Sequence, residues 1–177
     1  MSKKLQKYQE KYIDRLAKSV NEGKGIVQAV EKTLSDNSLT VLRETKAPTL
    51  AKIKKQKSER FMQGVVEVWI DNLNEYTNVN NKMTYQQIEQ TASMIFKKYY
   101  YLTLDEIALV FFRGKTGFYG DIFRLDGMII MKWFNEYDKE RIENAERLAL
   151  DEHYTKKGST DRTSSIKREA IKHKEPF

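Results

Sequence analysis

The chain has 177 residues, a formal net charge of +7, no cysteine and two histidines. It can therefore form no disulfide, no thiolate nucleophile, no cysteine-ligated metal and no three-histidine site. No apolar run reaches the roughly 18 to 20 residues of a membrane span, and the charged start lacks the apolar stretch of a signal peptide, so the expectation is a soluble, cytoplasmic protein of one domain with arms.

Leu5, Tyr8, Tyr12, Ile13, Leu16 and Val20 recur at spacings of three and four, which predicts a first helix capped by Ser2. Lys3, Lys4, Lys7, Lys11, Arg15 and Lys18 cover the rest of its surface. Gly23 and Gly25 end or kink it, and Ile26, Val27, Val30 and Leu34 stripe a short second helix before a turn at residues 35–38. Residues 38–46 fit either a short helix or a strand, broken by Pro48. Thr49 then caps one long predicted helix to about residue 76, basic in its first half and apolar in its second. After a polar loop at 77–83, Thr84-x-x-Gln87 and Thr103-x-x-Glu106 are capping-box spacings that open two further helices. The first carries a Tyr85, Ile88, Ala92, Ile95, Phe96, Tyr99 stripe, and the second runs over residues 104–112. Residues 114–120 form a compact turn, with Gly114 as a left-handed helix C-cap and Phe118, Tyr119, Ile122 and Phe123 folding back on the core. Asp126 caps the last helix, in which Met128, Ile130, Trp133, Phe134 and Tyr137 bury more than one face. Beyond residue 155 the apolar content is too low for independent folding.

The predicted fold class is all-α: a basic helical arm or subdomain at 1–60, a helical core at 61–150, and a charged, mobile tail at 151–177. Charge follows the same division. Residues 1–60 hold 15 Lys+Arg against 7 Asp+Glu, residues 61–112 hold 3 against 6, and residues 113–177 hold 14 against 12. A basic N-terminal third beside a less basic core suits an acidic partner, with nucleic acid first, although the same lysines also suit a solvated surface.

Gly114-Lys115-Thr116 carries the letters of a phosphate-binding loop. The full pattern needs a glycine at position 109, which is leucine, and a strand leading in, where a helix is predicted. Asp105, Glu106, Asp121 and Asp126 are the acids nearest the turn; the first two suit a helix first turn and Asp126 an N-cap. No hydrolase or metalloprotease spacing is present, so no enzymatic activity, cofactor, metal or small-molecule substrate is expected. The candidate phosphate contacts are Lys52, Lys54, Lys55, Lys57 and Arg60 on the basic helix, with Arg113 and Lys115 at the turn; Tyr119 and Arg124 are candidate partner contacts. Tyr99, Tyr100, Tyr101 and Trp133 could stack on bases, but their helical spacing favours the core.

Three pieces in order, LTLDEIALVFF at 102–112, GFYG at 117–120 and RLDG at 124–127, resemble a largely uncharacterised family of small helical proteins from Bacteroidetes phages and mobile elements. The resemblance covers residues 83–141. It implies a phage or mobile-element setting and supplies no catalytic residues. The resulting expectation is a non-enzymatic, DNA-associated accessory protein, acting in replication or helicase recruitment, with a protein partner or self-association at the turn. The alternative is a virion structural or assembly protein.

Overall fold

The computed structural model of the chain describes residues 2–21 and 46–172. The predicted second helix, the turn at 35–38 and most of the ambiguous stretch at 38–46 lie outside the described residues. The fold is all-α, with six helices among the described residues: α1 (Lys3–Asn21), α2 (Leu50–Gln56), α3 (Glu59–Tyr76), α4 (Tyr85–Tyr99), α5 (Leu104–Lys115) and α6 (Gly127–Lys172). Two compact units divide between Tyr137 and Asp138, and the backbone of α6 runs through both.

In the first unit one apolar core draws on every helix. Ile13 and Leu16 of α1, Leu50 and Ile53 of α2, Trp69 and Leu73 of α3, Ile95 and Tyr99 of α4, Ile107 and Phe111 of α5, and Phe134 and Tyr137 of α6 are all buried in it. Its centre is a chain of rings. Trp69 stacks on Phe111 at 6.0 Å, Phe111 meets Phe134 edge-on at 5.7 Å, and Phe134 lies 5.3 Å from Tyr99. Offset and edge-on ring pairs add attraction beyond the area they bury. The sequence division at residue 60 therefore has no counterpart in the packing: α1 and α2 share the core of α3–α6.

The helix predicted from Thr49 to Tyr76 is two helices. Ser58 stops the first and starts the second, because its extended backbone breaks the ladder and its side chain accepts from Phe61 N. Seven residues are too few for a self-supporting helix. α2 is held from outside, through a junction at its start. Leu50 N and Ala51 N donate to the carbonyls of Leu102 and Tyr100, Leu104 N donates to Pro48 O, and Thr49 and Thr103 form an isolated antiparallel bridge. Each threonine caps its own helix, Thr49 through Lys52 N and Thr103 through Glu106 N. Both capping boxes are formed. Glu106 is buried, with one oxygen on Thr103 and the other accepting from the Tyr137 hydroxyl at 3.2 Å.

Gly114 is not the C-cap. α5 continues to Lys115, and Thr116 caps it. Gly114 is required by packing: a Cβ there would lie 2.4 Å from Trp133 Cζ3. The left-handed position falls to Gly117, at φ 76°. Gly117 N donates to Gly114 O and Phe118 N to Arg113 O, which is the double bond pattern of a Schellman stop.

In the second unit, residues 138–172 are helical throughout. Low apolar content does not forbid a helix, because ladder bonds are intrinsic to the segment and oppositely charged residues three or four apart support it.

The two helical glycines give opposite expectations. Gly64→Ala meets nothing within 4 Å and raises stability by about 0.5 to 1 kcal/mol. Gly114→Ala drives a methyl into Trp133 and lowers it by about 1 to 3 kcal/mol. Urea unfolding of the two variants beside wild type reads both signs.

Candidate nucleic-acid interface

Polar contacts tie α1 to the segment that carries α2. Gln9 Nε2 donates to Lys46 O at 3.1 Å, Lys52 Nζ donates to Gln9 Oε1, and Lys57 Nζ pairs with Asp14 at 2.9 Å. Tyr12 fixes α1 to the start of α5 by donating its hydroxyl to Asp105 Oδ1 at 3.3 Å. Residues 2–21 carry six Lys+Arg and two Asp+Glu, and residues 46–57 carry five lysines and no acid. Eleven cations against two acids thus sit on adjoining segments of one compact unit.

The five expected contacts around α2 differ in their surroundings. Lys55 is exposed. Lys54 is exposed, pairs with Glu59 at 2.6 Å and lies 5.1 Å from the Phe96 ring centroid. Lys57 pairs with Asp14, and Lys52 is partly buried against Gln9. Arg60 bonds Glu67 at 2.6 Å, lies 3.6 Å from Glu89 and donates to the Tyr85 hydroxyl at 3.1 Å. The Tyr85 and Glu67 bonds raise its already high pKa, so it stays charged throughout the accessible pH range. The Lys54–Glu59 and Lys57–Asp14 pairs lie at the surface, where ion pairs are weak, so a phosphate can displace the acid at little cost. Arg60 is the least available of the five, with three partners.

At the turn, sequence reasoning placed some residues wrongly. Arg113 is 2% exposed, with its guanidinium 4.5 Å from the Phe118 ring and 5.8 Å from that of Tyr137. It clamps the Schellman stop from inside, where an apolar pair would ordinarily sit, and offers no surface to a phosphate. Tyr119 is partly buried and stacks on Trp133 at 5.6 Å and 14°. Arg124 is exposed and pairs with Asp126 at 3.2 Å, while Asp126 caps α6 through Ile129 N. Tyr99 and Trp133 are buried, as their spacing suggests. Phe123 and Met128, expected to pack inward, are 88% and 74% exposed, and Phe118 is 59% exposed. Phe118 and Phe123 stand in the irregular segment before α6, where helical periodicity does not apply, and Met128 falls off the buried α6 stripe of Ile130, Trp133, Phe134 and Tyr137. Asp105 and Asp126 are both engaged, with Tyr12 and with the α6 cap and Arg124.

Beside the turn lies an open cleft of about 450 Å³ that no sequence pattern announced. Its walls are the end of α3 (Tyr76, Thr77, Asn78), the end of α5 (Gly114, Lys115) and the turn (Gly117, Gly120, Asp121, Ile122). Lys115 Nζ donates to Asn72 Oδ1 and lies 5.5 Å from the Tyr76 ring centroid. The ends of α3 and α5 that line the cleft are C-termini, the reverse of the helix start in a phosphate-binding loop, and their last carbonyls are already bonded: Lys82 Nζ donates to Asn74 O, Glu75 O and Thr77 O, and Phe118 N and Gly117 N donate to Arg113 O and Gly114 O. α3 sets the spacing: eighteen residues at 1.5 Å each put the cleft and the α2 cluster about 27 Å apart, at opposite ends of the helix.

Compared with known protein families, curated proteins and solved structures, the chain matches none. Among the described residues, no helix is long and apolar enough to cross a membrane, and no group of three or more acids and histidines could hold a metal ion.

Burial, then the charge and hydrogen bond of Asp105, raise the Tyr12 hydroxyl pKa above its ordinary 10.0. Above pH 10 the unfolded chain loses this proton while the folded chain keeps it, so the contribution of Tyr12 to stability falls as pH rises. The stability advantage of wild type over Tyr12→Phe therefore narrows between about pH 10 and 11.5 in denaturant titrations, and an advantage that stays constant contradicts the burial of this hydroxyl.

Proposed function

We propose that the protein is a non-enzymatic, DNA-associated accessory factor of a phage or mobile element, acting in the host cell beside the replication machinery, for example in recruiting a helicase. The observation that carries the DNA reading is the joining of α1 and α2, which brings eleven cations and two acids onto adjoining segments while residues 61–112 of the same unit hold three cations and six acids. Charge so divided favours a polyanion at one side and orients it. The contacts are Lys54, Lys55 and Lys57, supplemented by the α1 lysines, with Lys52 and Arg60 at the margin. The phage setting rests on the resemblance of residues 83–141, and the replication role rests on that setting.

A second reading, a virion structural or assembly protein, draws on the exposure of Phe118, Phe123 and Met128 around one turn. Apolar side chains grouped at a surface favour a protein partner. Light scattering separates the two: a discrete large assembly with no DNA affinity selects the assembly role.

DNA binding is expected to weaken with salt, with a log–log slope set by the phosphates contacted. Replacing Lys54, Lys55 and Lys57 together by alanine makes the slope shallower by about 2 to 3 and weakens all sequences alike. Fluorescence anisotropy across a salt series measures both, and absence of binding to single- and double-stranded DNA at low salt refutes the reading.

A further inference from the structure

We infer that the cleft at the far end of α3 receives one amino-bearing base, cytosine, adenine or guanine, of a single DNA strand whose phosphates lie on the α1–α2 face. This inference rests on the DNA reading and adds a base-reading site to it. Three features of the cleft define its ligand. Tyr76 contributes a ring that is 63% exposed although it stands at the end of a core helix. Lys115 Nζ lies over one face of this ring, and the exposed remainder offers a flat group a surface to stack on. Asp121 and Asn78 supply a carboxylate and an amide at the walls. The cation present, Lys115, is committed to Asn72 and the Tyr76 ring.

A cleft with one aromatic wall and one carboxylate favours a flat group that offers N–H donors. The exocyclic amines of cytosine, adenine and guanine meet that need, and a carboxylate accepting from cytosine N4 is an established pairing. Thymine presents carbonyl oxygens on both sides of its single N–H, so it faces Asp121 with repulsion. A volume of about 450 Å³ falls within the roughly 300 to 1,000 Å³ of small-ligand sites. Gly117 and Gly120 line the rim with positive φ, and a Cβ on either would meet nothing within 4 Å, so they serve the path of the backbone around the opening and not packing.

The test compares binding of dC and dT oligonucleotides of about twenty nucleotides, long enough to cover the 27 Å along α3, to the full chain at pH 8 and low salt. Both strands carry the same phosphates. Wild type is expected to bind the dC strand about 5- to 50-fold tighter. Asp121→Ala removes most of that preference. Tyr76→Ala weakens the dC strand about 5- to 100-fold, and Tyr76→Phe keeps wild-type affinity. Both side chains are exposed, so the variants fold, and thermal melting verifies it. Equal affinity for dC and dT in wild type, or a Tyr76→Ala variant that binds dC like wild type, overturns the cleft assignment. If the salt slope is then unchanged, the α1–α2 face stands as a non-specific site. Binding to neither strand overturns both.

Discussion

The short antiparallel junction of Thr49 with Thr103 is the contact on which the rest of the architecture depends. Two helices begin there, and each lends the other what it lacks. The first amides of α2, which have no partner within their own helix, donate to the carbonyls of Leu102 and Tyr100 just past α4, and Leu104 N returns the bond to Pro48. A seven-residue helix with three lysines has no intrinsic reason to persist. Anchored at this junction and by Leu50 and Ile53, it becomes a rigid mount for charge. From the same junction α5 runs through the core to Gly114 and Trp133, and so to the glycine turn. The basic face and the cleft are thus the two outputs of one structural node.

Electrostatics separates the two outputs. On the α1–α2 face, cations outnumber acids and their ion pairs are exposed, so exchange of a carboxylate for a phosphate costs little. The cleft lining holds one carboxylate, Asp121, and one cation, Lys115, which is held in place by Asn72. A strand lying across both would keep its phosphates on the first and present a base to the second. Phe118, Phe123 and Met128 are exposed at and just after the same turn.

Features that depend on neighbours in sequence were legible in it. Both capping boxes, the Asp126 cap and the burial of Tyr99 and Trp133 follow from spacing and residue type alone. What escaped depends on distant partners. The docking of α1 rests on bonds spanning 37 to 93 residues, such as Gln9 to Lys46 and Tyr12 to Asp105, which no local pattern encodes. Ser58 cuts a helix inside an unbroken periodic pattern, with neither proline nor glycine to mark it. Arg113 and Gly114 read as a surface cation and a cap, but the rings of Phe118, Tyr137 and Trp133 turn them into core positions. The cleft was invisible because its walls are the ends of two helices and a turn that meet only in the fold.

Hydrogen exchange of the full chain with and without a single-stranded oligonucleotide tests the central claim most directly. The account predicts slowed exchange in two separated places: α1 with residues 46–57, and residues 76–78 with 114–122. Slowing confined to residues 138–172, or no change anywhere at a concentration where the oligonucleotide is bound, would contradict it.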